Sequence, residues 1–361
     1  MKRILQLGLS LALILGMIGY ALPVSASTAQ NLISGAMQNY SVLVGSDNSS
    51  MGVSIMAYFP QSIRIHVGDT VTWKANSHEI HTITFLAGDS LPDVIIPAPV
   101  GMASPFQINP LAAFPTPTDG QYNGSSYMNS GIISTDPGFM QTFRLTFTQE
   151  GVYDYVCVIH GQSMSGTVTV VGANIAVPKP AQVSVQGLAE LRAAWMKVPA
   201  VMAQARAQAV PPVQNPDGTF THTIALDYMS GNIMVMGFFS KMEMVKPGDT
   251  VVWQLSPTND APHTVTFYNG APDLSFVMIV QGDNGPVALI NPAVLFPSQA
   301  VLLGEPLNNI DFFNSGILMP GGQTTFSLRI GDITGLINYE CILHDTSGMV
   351  GSLIGTPQIS N

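Results

Sequence analysis

The chain has 361 residues, of which 46% are hydrophobic and only 9% charged, with a formal net charge of −10. That length suits two ordinary domains with real cores, and the composition excludes a disordered or coiled-coil protein. An acidic chain without a basic cluster is also a poor candidate for nucleic acid or anionic lipid.

Residues 1–26 read as a signal peptide. Lys2 and Arg3 make a basic start, Ile4 to Ala21 is almost wholly apolar, and Val24-Ser25-Ala26 fits a small-residue cleavage site. The mature chain is therefore expected outside the cytoplasmic membrane, periplasmic or secreted. No later run is long and apolar enough to predict an integral membrane span once that segment is removed.

The rest of the chain is a duplication. Gly68-Asp-Thr-Val-Thr-Trp73 returns as Gly248-Asp-Thr-Val-Val-Trp253, His81-Thr-Ile-Thr-Phe85 as His263-Thr-Val-Thr-Phe267, and Ile108-Asn-Pro110 as Ile290-Asn-Pro292. Asn129-Ser-Gly-Ile132 returns as Asn314-Ser-Gly-Ile317, and Tyr155-Val-Cys157 as Tyr339-Glu-Cys341. The preserved order predicts domain 1 over 30–172, a linker over 173–213 and domain 2 over 214–357.

Within each unit the patterning has period two. Val71 and Trp73 share a face, as do Tyr153, Tyr155 and Cys157, and Ile337, Tyr339 and Cys341, which aims both cysteines into a core. Successive strands with turn signals predict an antiparallel sandwich or barrel in each unit. The long connections after Phe85 and Phe267 carry Asn109-Pro110 to Pro115 and Asn291-Pro292 to Pro297. Each reads as a one-turn helix, with Asn as cap, Pro in first position and a second Pro forbidding continuation. Such connections are expected to cover one end of the unit or to form a docking surface. In the linker, Leu188 to Val210 favours helix, with Pro199 expected to break or kink it and Pro211-Pro212 to end it. It is read as packing on one domain, with a free spacer as the alternative.

Each unit also collects soft and imidazole donors. The first offers His81, Cys157, His160 and Met164; the second offers His263, Cys341, His344 and Met349. Thiolate and thioether suit Cu(I), and imidazole suits both copper oxidation states. Two His and one Cys in a plane with a weak axial Met accept either state with little movement. The spacing does not match a structural zinc site. A disulfide between Cys157 and Cys341 is excluded if each lies inside its own sandwich. His66, His78 and His222 have no counterpart in the other half and read as surface or turn residues. Met234, Met236, Met242 and Met244 read as packing, and Trp73 and Trp253 as core.

Cys157-Val-Ile-His160-Gly-Gln-Ser-Met164 and Cys341-Ile-Leu-His344-Asp-Thr-Ser-Gly-Met349, each following its Asn-Ser-Gly-Ile, resemble the plastocyanin/azurin family of cupredoxins. The resemblance implies an all-β chain of two tandem Greek-key β-sandwich domains, joined by a partly helical linker. It implies electron transfer through two type 1 copper ions per chain, exchanged with redox partner proteins. The first ligand loop has three residues between His and Met and the second four, so Gln162 is a weaker candidate for the axial place of Met164. Asn129 and Asn314 are candidates for bracing the ligand loops. An exported copper storage or delivery protein is the alternative. Two-domain multicopper oxidases and copper nitrite reductases are disfavoured, because seven His in all leave too few for a catalytic centre and no His-X-His pair occurs. The chain therefore reads as a carrier and not an enzyme.

Overall fold

A computed structural model describes residues 36–356 apart from residues 260 and 284. The expected signal peptide and the outermost residues of both predicted units lie outside that range. Alternation of side chains builds the strands: Ser62–His66 and Thr325–Arg329 each turn every second residue inward. In the first repeat, Asn39–Asn48 lies between Val53–Phe59, antiparallel, and Thr70–Ala75, parallel, with Thr142–Phe147 beyond. The facing sheet centres on Gly151–Cys157, flanked by Gly161–Val171 and Thr84–Phe85. The second repeat builds the same pair. Phe220–Ser230 sits between Ile233–Phe239 and Thr250–Leu255, and Gly335–Glu340 between Val350–Gly355 and Thr266–Phe267. The chain is thus all-β, with a two-sheet sandwich in each half. Trp73 fills one core edge-on to Tyr155 at 5.4 Å, and Trp253 fills the other edge-on to Tyr339 at 5.5 Å.

The halves are fused along two seams. Val53–Phe59 pairs with Ile233–Phe239, which joins one sheet of each sandwich into a single sheet of ten strands. The long connections also pair, Phe106–Ile108 with Gly285–Ile290, to make a four-stranded sheet drawn from both repeats. At each seam a residue faces its own repeat-mate, Ser54 opposite Met234 and Gln107 opposite Leu289. The neighbouring pairs exchange, Val53 with Val235 and Ile55 with Ile233. That reciprocity is the signature of an approximate two-fold axis, as in an isologous dimer. The connections were expected to cover an end or offer a docking face. They bind the halves together, and their apolar cluster includes Val158, next to Cys157.

Two helices, Pro180–Trp195 and Val198–Arg206, lie over the first seam. The helical stretch begins earlier than composition suggests, and Pro199 sits in the first turn of the second helix, where its missing N–H costs nothing. Val198, Val201 and Ala205 pack on Val53, Ile55, Ile233 and Val235, strands of both halves rather than of one. Gly187 is what lets the first helix approach, since a Cβ there would stand 2.8 Å from the Phe59 carbonyl. Among the described residues, no helix is long and apolar enough to cross a membrane.

Two expectations about side-chain burial also fail. Met234 and Met236 are core residues, but Met242 and Met244 are 56% and 64% exposed, on a strand that turns Val245 inward instead. His222 is no surface residue: it is 4% exposed, held between Glu243 and Asp249 at 3.0 and 3.3 Å.

Candidate metal centres

Strand parity aims Cys157 and Cys341 inward from the ends of Gly151–Cys157 and Gly335–Glu340, and both thiols are fully buried. Each Sγ accepts a backbone N–H from across the sheet, Thr82 N at 3.3 Å and Thr264 N at 3.4 Å. The residues just before those threonines are His81 and His263, each fixed by an isolated bridge, to Ile133 and to Leu318. The second histidine of each set comes three residues after the cysteine, where the chain turns toward the next strand.

In the second repeat Nδ1 of His263, Nδ1 of His344 and Sγ of Cys341 form a triangle with sides of 3.2, 3.4 and 3.7 Å. A point equidistant from all three lies about 2 Å from each, the distance at which nitrogen and sulfur hold a transition metal. In the first repeat Nδ1 of His160 stands 3.2 Å from Nδ1 of His81 and 3.4 Å from Sγ of Cys157. All three donor atoms of each set lie within 4.8 Å of one another. Two imidazole nitrogens and one cysteine sulfur, joined by no carboxylate or second thiol among the described residues, fit copper, whose two oxidation states accept soft and intermediate donors. Met164 and Met349, the proposed fourth donors, are fully buried in the same core cluster as the cysteines. Gln162, the substitute, is exposed. The backbone of Met349 further ties the second loop, donating to His344 O and accepting from Cys341 N.

Asn129 braces the loop as the sequence suggested, through a relay. Its amide donates to the carbonyls of Leu111, Ala112 and Phe114 at the end of the one-turn helix Pro110–Ala113, and its Oδ1 accepts from Thr84. Thr84 meets Thr82, whose hydroxyl accepts from Val158 N beside the cysteine. Asn314, Thr266, Thr264 and Ile342 N repeat the relay in the second half.

Outside the triangles the halves differ, and these residues escaped the sequence reading. With Nδ1 turned to the donor set, Nε2 carries the proton and donates outward. His81 Nε2 lies 2.9 Å from the Ser77 hydroxyl, whereas His263 Nε2 lies 3.2 Å from the carboxylate of Asp227, and both His263 and Asp227 are 0% exposed. The metal-free charges differ accordingly. Burial lowers His81 far below its usual range and takes His160 down to about 3, while it raises Cys157. In the second set burial also opposes charge on His263, but hydrogen bonds to Asp227 and Cys341 prevail and lift it to about 10. Burial would raise Cys341, yet the charge and hydrogen bonds of His344 and His263 hold it well below the thiol range. Glu79, itself nearly buried, stands 4.0 Å from Nε2 of His160. Burial raises its carboxyl and the charge of His344 pulls it back, so it lies within the field of both sets.

Residues 44–171 match the family of copper binding proteins described as plastocyanin/azurin. Solved structures similar to this chain include amicyanin from Paracoccus versutus (Thiobacillus versutus), 17% identical over 37% of this chain and 81% of that one, with a TM-score of 0.22. A mutant plastocyanin of fern is 14% identical over 37% of this chain and 99% of its own, TM-score 0.21. A Cu(I) form of a mutant amicyanin is 22% identical over 37% and 82%, TM-score 0.22. No curated protein matches the chain.

Proposed function

We propose that the whole chain is an electron carrier with one type 1 copper centre in each half, a reading supported by the match of residues 44–171 to the plastocyanin/azurin family of copper binding proteins. The observation that carries the reading is the twofold convergence of two Nδ1 atoms and one Sγ on a single buried point. Copper bound there supplies a one-electron couple. The protein's part is to hold the donors in a geometry both oxidation states accept, and to keep water and rearrangement out. His81, Cys157, His160 and Met164 would hold one ion, and His263, Cys341, His344 and Met349 the other. Loops anchored by the Asn–Thr–Thr relay leave the histidines little freedom to move.

The basic and apolar first 26 residues support export, so the carrier would work periplasmically or in secreted form, passing electrons between partner proteins. Catalysis is not part of the reading, since the four ligand histidines leave only three others in the chain. The exposed pair Met242 and Met244 favours one second reading, copper delivery, because thioethers on a surface can pass Cu(I).

One experiment separates the two. Cu(II) added to the purified full chain is expected to give an intense blue thiolate colour at two coppers per chain, bleached by reductant and restored by oxidant. Cys157→Ser and Cys341→Ser are each expected to remove half of it. Tight Cu(I) binding without colour would replace the carrier with a delivery protein.

A further inference from the structure

The duplication makes each half a control for the other. Val44/Ser46 and Leu226/Tyr228 bracket a register shift at the same place in equivalent strands, so Gly45 and Asp227 are repeat-mates on one bulge. Both adopt left-handed backbone, φ 68° and φ 58°. That conformation suits Gly45 and is uncommon for an aspartate. In the first half no side chain fits there: a Cβ at Gly45 would stand 2.4 Å from His81 Nε2. In the second half the Asp227 side chain fills the corresponding place, its Oδ2 3.2 Å from His263 Nε2 and wholly out of water. An aspartate held in an unfavourable conformation, buried, and aimed at the outer nitrogen of a ligand histidine calls for a role beyond packing.

We propose that Asp227 is a positioning residue that sets the second centre at a lower reduction potential than the first, so that an electron shared between the two rests on the first. This rests on the copper-carrier reading. A carboxylate accepting the Nε2 proton makes the imidazole a stronger donor and places negative charge near the ion, and both favour Cu(II) over Cu(I). The neutral Ser77 hydroxyl does neither. Two further repeat-mates point the same way, Glu340 for Val156 and Asp345 for Gly161, beside the ligands. Asp345 is exposed and screened and Glu340 is only half-buried, whereas Asp227 is wholly out of water and bonded directly to a ligand histidine, so Asp227 is assigned the leading share. Glu79 does not distinguish the centres, since it stands near His160 and also feels His344. The step balances as one electron leaving Cu(I) of the second centre for Cu(II) of the first, with no proton or bond transferred.

The test is a redox titration of the copper-loaded full chain. Cys157→Ser and Cys341→Ser variants identify which blue band belongs to which centre. The second centre is expected to oxidise first. Asp227→Asn, which keeps the shape and tolerates left-handed backbone, is expected to shift the second centre's preference for Cu(II) over Cu(I) by about tenfold, roughly 59 mV upward for one electron. The first centre should stay in place. Asp227→Gly relieves the backbone and copies the first half, so it guards against a folding defect and should move the potential the same way. Equal potentials in the unmutated chain, an unmoved second centre, or both centres shifting together would each overturn the proposal. A chain that takes up copper without blue colour would remove the carrier reading itself, a failure recognisable before any potential is measured.

Discussion

At the scale of single residues, chemistry decides what can be read in advance. The donors His81, Cys157, His160, His263, Cys341 and His344 were legible because thiol and imidazole are rare in this chain and recur in order, and the fold gathers both sets. Asp227 was not, because its repeat-mate is a glycine and a comparison of halves discards positions that differ. His222 was misread for a related reason: an unrepeated histidine looks incidental until Glu243 and Asp249 close on it. That pair has a measurable consequence. Burial opposes the charge on His222, but the hydrogen bonds to both carboxylates outweigh it and raise its pKa above the usual 6.5. Folding is therefore linked to proton uptake. The ion pair contributes fully below about pH 6.5 and is lost as pH rises through the elevated folded value. Denaturant titrations of wild type and His222→Gln at successive pH values should converge as the pH is raised. Parallel curves would mean that the pair contributes nothing.

At the scale of elements, local rules carried most of the weight. Strands followed from period-two patterning, and the one-turn helices Pro110–Ala113 and Pro292–Leu295 from an Asn cap, a leading Pro and a terminating Pro. The linker helices start earlier than read because a packed face, not composition, fixes a helix, and Val183 and Gly187 are what the first one buries. No local rule reveals that the one-turn helix is a strut. Its terminal carbonyls converge on Asn129 or Asn314, and the relay from there ends beside the cysteine. Removing the amide takes the asparagine's hydrogen bonds away from buried carbonyls and from a threonine hydroxyl. Asn129→Ala and Asn314→Ala should therefore each cost about 1–3 kcal/mol in chemical denaturation. Because the relay also seats the residue after each cysteine, each variant should broaden the blue band of its own half only. Variants as stable as wild type would show that water replaces the amide.

At the scale of the whole molecule, the duplication predicts two units but not how they meet. An edge strand carries no mark of its eventual partner, and Val53–Phe59 and Ile233–Phe239 would each read equally well as a free edge. The pairing buries Ile55 and Ile233 opposite one another and lays the helix Val198–Arg206 across both. Backbone hydrogen bonds, a shared apolar cluster and a second seam through the connections all cross from one half to the other. Cooperativity should extend as far as those contacts do. A calorimetric scan of the metal-free chain is expected to show one transition, and Ile233→Ala, which opens a cavity at the axis, should lower it by about 2–5 kcal/mol of stability. With copper bound, both halves should lose their colour together on heating. Had the halves been two beads on a linker, the variant would melt the second and leave the first at its original temperature. The reciprocal pairing of Ser54 with Met234 and Gln107 with Leu289 is the reason to expect otherwise, because a contact made of repeat-mates cannot weaken on one side alone.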